Sequence, residues 1–116
     1  MAVRIRAGQA LRLWHDVALA VLRAGEPDLS MRQVTILLTI YLEPQPHTVR
    51  GLATTLGVTK PVVTRALDAM GRLDLVTRKR DPADRRNVLV QRTVNGALFL
   101  ERLGDRIARS AAALPS

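Results

Sequence analysis

The spacing of apolar residues changes several times along the chain, and each change marks an element. Between residues 7 and 24 the polar side chains Gln9, Arg12, Asp16 and Arg23 recur at spacings of three, four and seven. On a helix they form one narrow stripe, and Leu11, Leu13, Trp14, Val17, Ala18, Val21 and Leu22 cover the rest. A surface helix needs one apolar face. So wide an arc predicts a helix buried from two sides, one of them by a second subunit. Gly25 and Pro27 end it. Ser30-Met31-Arg32-Gln33 opens a second helix with a capping box, and Leu29 and Val34 stand at the positions of a hydrophobic staple. Val34, Leu37, Leu38 and Tyr41 continue the helical period to Leu42, before Pro44 and Pro46. Thr48 is the N-cap of a short third helix over residues 49–56, stopped by Gly57. Thr59 caps a fourth helix from Lys60 to about Leu73, with Pro61 in the first turn, where a missing N–H does no harm. Residues 76–93 then read as a β-hairpin, two short apolar runs flanking Asp81-Pro82-Ala83-Asp84. Thr93 caps a last helix whose Leu98, Phe99, Leu100, Leu103 and Ile107 face inward or toward a partner, and residues 110–116 are expected to fray.

A chain of 116 residues fits one domain, large enough to bury roughly two-thirds of its unfolded surface. It has no cysteine, which removes disulfides, thiolate zinc sites and thiol redox sensing. Met1, Met31 and Met70 are then the remaining oxidisable sulfurs, two of them expected in core or capping positions. No run of about twenty uncharged apolar residues exists, so neither a transmembrane helix nor a signal peptide is expected.

The net charge of +8 is concentrated. Residues 48–93 hold ten basic and four acidic side chains, or +6 of the total. The hairpin alone carries Arg78, Lys79, Arg80, Arg85, Arg86 and Arg92. A hairpin tip must be polar, but not this positive, and such a patch points to a polyanion, nucleic acid first and anionic lipid second. Sixteen of the eighteen basic residues are Arg, which a GC-rich genome also favours.

The stretch from Thr48 to Leu73 carries most of the information. Two helices meet at Leu56-Gly57-Val58-Thr59. Ala53, four residues before Gly57, lets them approach, Gly57 permits a left-handed turn, and Val58 and Val63 plug the angle between them. This is a helix-turn-helix pattern. With Val63, Ala66, Leu67 and Met70 toward the core, Lys60, Pro61, Thr64, Arg65 and Asp68 face out. A helix-turn-helix followed directly by an arginine-tipped hairpin predicts a winged helix, its helix in a major groove and its hairpin on the adjacent backbone and minor groove. The fold class is mainly α with a small β-hairpin.

Over about residues 30–107 the chain resembles the MarR family of bacterial transcription regulators. The resemblance is carried by "TVRGLATTLGVTKPVVTRALDAM", by "LVTRKRDPADRRNVLV", and by Thr93 and Gly96. Its most specific part is Asp81-Pro82-x-Asp84-Arg85-Arg86. The resemblance implies that Lys60, Pro61, Thr64 and Arg65, with Thr59 before them, hold the base-reading positions. It implies that Asp84 orients the wing and Arg86 enters the minor groove, with Arg85, Arg78 and Arg80 beside them and Thr48 and Arg50 on the backbone ahead of the recognition helix. The family usually has Gly where this chain has Asp74 and an apolar residue at Arg92, and it commonly carries two long C-terminal helices where here there is room for one.

His15 and His47 are isolated, and Asp81 and Asp84 read as turn formers and arginine partners. No catalytic set, phosphate loop, metal site or cofactor site is expected. Trp14, Tyr41 and Phe99 are expected in the core. The reading is a single domain over residues 1–116: an N-terminal dimerisation helix (1–29), a DNA-binding core (30–93), and a C-terminal dimerisation helix with a frayed tail (94–116). The expected partners are double-stranded DNA and a second copy of the chain, with no membrane; the expected role is a cytoplasmic, nucleoid-associated regulator, most simply a repressor at pseudo-palindromic sites. A small-molecule effector is left open. A winged-helix protein-interaction adaptor and a sequence-indifferent architectural DNA binder are the alternatives.

Overall fold

Three of the helices start at the side-chain caps their sequences offer, Ser30, Thr48 and Thr93. A computed structural model describes residues 3–115; Met1 lies outside the described residues. The helices are α1 (Ala7–Arg23), α2 (Met31–Leu42), α3 (Val49–Leu56), α4 (Lys60–Arg72) and α5 (Val94–Ala112), and the strands are β1 (His47–Thr48), β2 (Val76–Arg80) and β3 (Val88–Arg92). The chain divides into two compact units, Leu29–Phe99 and the pairing of Met1–Asp28 with Leu100–Ser116.

In the Leu29–Phe99 unit the capping box of α2 forms as its sequence predicts. Gln33 N donates to Ser30 Oγ at 3.1 Å and Ser30 N to Gln33 Oε1 at 2.8 Å. Thr48 Oγ1 accepts from Gly51 N at 2.9 Å and starts α3. Gly57 takes the left-handed conformation that ends it, φ 69°. The core gathers Ile36, Leu37 and Ile40 of α2, Leu52 and Ala53 of α3, and Val63, Ala66, Leu67 and Met70 of α4, with Leu75, Val76, Val90 and Phe99. The four α4 residues are the ones the helical period assigns inward. Each fully buried Leu or Ile contributes about 1.5–3 kcal/mol.

The sheet is antiparallel in the order β1-β3-β2, with Val76 opposite Arg92 and Arg80 opposite Val88. β1 has no signature in the sequence, because His47-Thr48 is too short to show a period. It pairs His47 with Val90 and Thr48 with Leu89. Asp74 stands in the left-handed region, φ 57°, where the resemblance has glycine. Tyr41 is a half-buried hub: its hydroxyl donates toward the carbonyls of Leu75 (3.1 Å) and Thr93 (3.0 Å) and accepts from Thr93 N (3.0 Å). A Cβ at Gly96 would collide with Tyr41 Oη and the Leu75 carbonyl oxygen, so the close approach of α5 requires glycine. Thr93 Oγ1 accepts from Gly96 N at 2.9 Å, which caps α5 as expected. Arg92 is exposed at the end of β3, and its guanidinium is pinned there. It donates to the carbonyls of Ile40 (3.3 Å) and Tyr41 (3.0 Å) at the end of α2, and its guanidinium lies 5.5 Å from the Tyr41 ring centroid.

In the other unit, Glu26 is a charged anchor. It accepts from Arg102 Nε (2.9 Å) and Nη2 (3.1 Å) and from Arg106 Nη1 (3.0 Å). Gln9 Nε2 donates to the Pro115 carbonyl at 3.0 Å. The expected fraying from residue 110 is corrected: α5 stays helical through Ala112. Trp14 is also corrected. It is 61% exposed, and Leu11, Leu22, Leu98 and Ile107 are exposed as well. Within one chain, α1 buries only Val17. Tyr41 and Phe99 are placed inward as expected, Met70 is buried in the core, and Met31, the first residue of α2 behind the Ser30 cap, is exposed. None of the described helices is long and apolar enough to cross a membrane.

Candidate nucleic-acid interface

α3, the turn at Gly57 and α4 set the site. Thr59, Lys60, Pro61 and Arg65 are exposed on α4 and its N-terminal approach, and Thr64 is half-buried beside them. Thr59 takes the N-cap backbone conformation, but its side chain makes no capping bond, which differs from the expected cap. Pro61 occupies the first turn, so the N–H it lacks is one the helix would leave unpaired. On α3, Arg50 is exposed and Thr48 half-buried, its hydroxyl oxygen already accepting from Gly51 N. Arg65 also lines a small groove with Arg32, Gln33 and Ser30 of the α2 N-terminus. Arg32 is exposed, and nothing in its sequence neighbourhood beyond the capping box marks it.

The wing is built by its own side chains. Asp81 Oδ1 accepts from Ala83 N at 2.9 Å, and Asp84 Oδ1 from Arg86 N at 3.1 Å. These are Asx turns, so both aspartates form the loop as their spacing implies. Asp84 then takes the Arg86 guanidinium, Nε to Oδ1 at 3.2 Å and Nη2 to Oδ2 at 3.3 Å. The Arg86 guanidinium and then its backbone N–H hold the Asp84 carboxyl below the usual carboxylate range, and the charge of Arg50 adds to this. Even so, the Arg86 side chain is 86% exposed. The geometry aims a charged fork outward and braces it from behind.

The arginines of β2 behave differently. Arg78 Nη2 donates to Asp68 Oδ1 on α4 at 2.6 Å, and Arg80 Nη1 to the Arg85 carbonyl at 2.6 Å. Both residues stay exposed, and each guanidinium has a partner within the chain. Lys79 lies on the opposite face of the strand, exposed, and joins Arg85 and Arg86 as an outward cation. Strand alternation carries this signal, since Val76 fixes which face is buried. Among the described residues no cluster of three metal-ligating side chains occurs.

A helix-turn-helix, a bracing sheet and a basic hairpin in this order define a winged-helix protein. The MarR family profile matches residues 29–88, and the chain belongs to the MarR family. No curated protein sequence matches it. Among solved structures, the transcriptional regulator Tm0710 from Thermotoga maritima is similar at 29% identity with a TM-score of 0.72, over 86% of this chain and 68% of that one. The transcriptional repressor CouR, solved bound to a 23-mer DNA duplex, is similar at 29% identity with a TM-score of 0.71, over 89% of this chain and 70% of that one. The S. aureus MepR–DNA complex, at 21% identity and a TM-score of 0.74 over 86% of this chain and 79% of that one, shares the fold.

Proposed function

We propose that the chain is a DNA-binding transcription regulator that binds double-stranded, pseudo-palindromic sites as a homodimer and acts mainly as a repressor in the bacterial cytoplasm, at the nucleoid. The observation that carries the reading is the braced, outward Arg86 following directly on an exposed recognition-helix face. The DNA-bound state of CouR supports it. Lys60, Pro61, Thr64 and Arg65, with Thr59, read base edges; Arg85 and Arg86, positioned by Asp84, meet phosphates and the minor groove; Thr48 and Arg50 meet the backbone. Arg78 and Arg80, whose guanidinium groups have partners within the chain, support the wing from behind.

The dimer is proposed from the apolar residues that one chain leaves exposed on α1 and α5: Leu11, Trp14, Leu22, Leu98 and Ile107. Two recognition helices then address half-sites whose centres lie about 10 bp, or a multiple, apart.

Titration against duplexes enriched by the wild-type protein from a random pool, and against calf-thymus DNA, at several salt concentrations tests this. Arg65→Ala costs about 1–3 kcal/mol on the enriched duplex and relaxes preference at one base pair per half-site. Arg86→Ala weakens binding to both DNAs and lowers the salt dependence by about one counterion per subunit. Unchanged affinities and salt slope in Arg86→Ala would put the protein-interaction adaptor ahead. Equal wild-type affinity for both DNAs would favour the sequence-indifferent architectural binder.

A further inference from the structure

Side chains of β2 point alternately to two faces. The face shared by Val76, Arg78 and Arg80 is held along its whole length: Val76 in the core, Arg78 on Asp68, Arg80 on the Arg85 carbonyl. Asp68 lies on α4 three residues beyond Arg65. Among the described residues, the Asp68–Arg78 pair is the one side-chain hydrogen bond between the recognition helix and the first wing strand.

We propose that Asp68 and Arg78 are positioning residues, a strut that sets the reach of the wing relative to the recognition helix so that Arg86 and Arg65 engage one duplex together. The inference rests on the DNA-binding reading. Its first support is a misplaced charge. A carboxylate on the outward side of a helix that faces a polyanion repels the ligand, and the partner this one holds is Arg78. The second is the freedom of the wing. β1 braces β3 only at Leu89 and Val90, so beyond that point the hairpin is a two-stranded ribbon. Such ribbons are marginal alone and twist readily. The third is that Arg78, though part of the basic hairpin, has its charge met by a carboxylate at 2.6 Å and is poorly placed to act as a phosphate contact itself.

The strut and plain electrostatics differ in sign. Asp68→Ala removes a negative charge from a DNA-binding face, and Coulomb attraction alone then predicts tighter binding and an equal or steeper salt slope. The strut predicts weaker binding to the enriched duplex, by about two- to fivefold, with a shallower salt slope, because the wing contacts lapse. Arg78→Met should reproduce that loss, and the double variant should be no worse than either. In an Arg86→Ala background, Asp68→Ala should cost nothing further, since the contacts it positions are already gone. Thermal melts should show each single variant folded. Asp68→Ala binding as well as or better than wild type overturns the strut, as does a full loss that persists in the Arg86→Ala background. In either case a normal Arg86→Ala effect leaves the DNA-binding reading standing. An Arg86→Ala without effect overturns that reading and the strut with it.

Discussion

Gly96 shows how much one hydrogen atom can decide. A methyl group there meets the Tyr41 hydroxyl and a backbone carbonyl, neither of which can retreat without breaking the hub around Thr93. Gly96→Ala is expected to destabilise the fold by about 1–3 kcal/mol, or more if the hub breaks, read as a lower urea midpoint with secondary structure retained in water. The sequence marks Gly96 only through the family resemblance, since nothing in its period distinguishes it from an ordinary glycine of a helix first turn. Val63, Ala66, Leu67 and Met70 were legible because a helical period assigns faces directly. Trp14 and Arg92 were not. Their surroundings are set by which surface is left uncovered and by which carbonyls lie opposite, and both are tertiary facts.

Among the elements, the Glu26 anchor makes a prediction about acid. The Arg102 guanidinium first, and then that of Arg106, hold the Glu26 carboxyl below its ordinary value of 4.5. A carboxyl with a depressed folded pKa contributes stability that is fully present above the unfolded pKa and lost as pH falls through the folded one. The contribution therefore begins to fade near pH 4.5 and is gone well below it. Glu26→Gln is expected to cost about 1–3 kcal/mol at neutral pH and almost nothing at the acid end, so its stability curve should meet the wild-type curve there. Chemical melts from pH 7 to 3 would show convergence or its absence. The sequence places Glu26 beside Gly25 and Pro27 as a helix-ending segment; partners 76 and 80 residues away leave no trace in local spacing. Wing and helix-turn-helix were legible for the opposite reason. Caps, turn formers and alternation all act within a few residues.

At the scale of the whole molecule, the apolar residues exposed on α1 and α5 predict association. The wild-type chain is expected to sediment as a dimer at micromolar concentration. Leu22→Asp would place a charge on that face, and if a second copy covers it the dissociation constant should rise by about a hundredfold or more. Trp14 is the only tryptophan and is 61% exposed in one chain, so it can report the event. Its emission should shift to the blue with protein concentration in the wild type and stay solvent-like in Leu22→Asp. A concentration-independent, solvent-like spectrum with monomer sedimentation would remove the dimer.

Asp74 holds a left-handed backbone at the junction of α4 and β2 without the residue best suited to it. A side chain in that region costs about 1 kcal/mol relative to glycine. Asp74→Gly should therefore raise the melting temperature by about 4–8 °C, measurable in a single scan. Asp and Gly codons differ by a single nucleotide, so this improvement is within easy mutational reach of the gene. With that stabilisation in hand, a variant carrying glycine here is expected to accept a destabilising substitution on α4 without losing the fold.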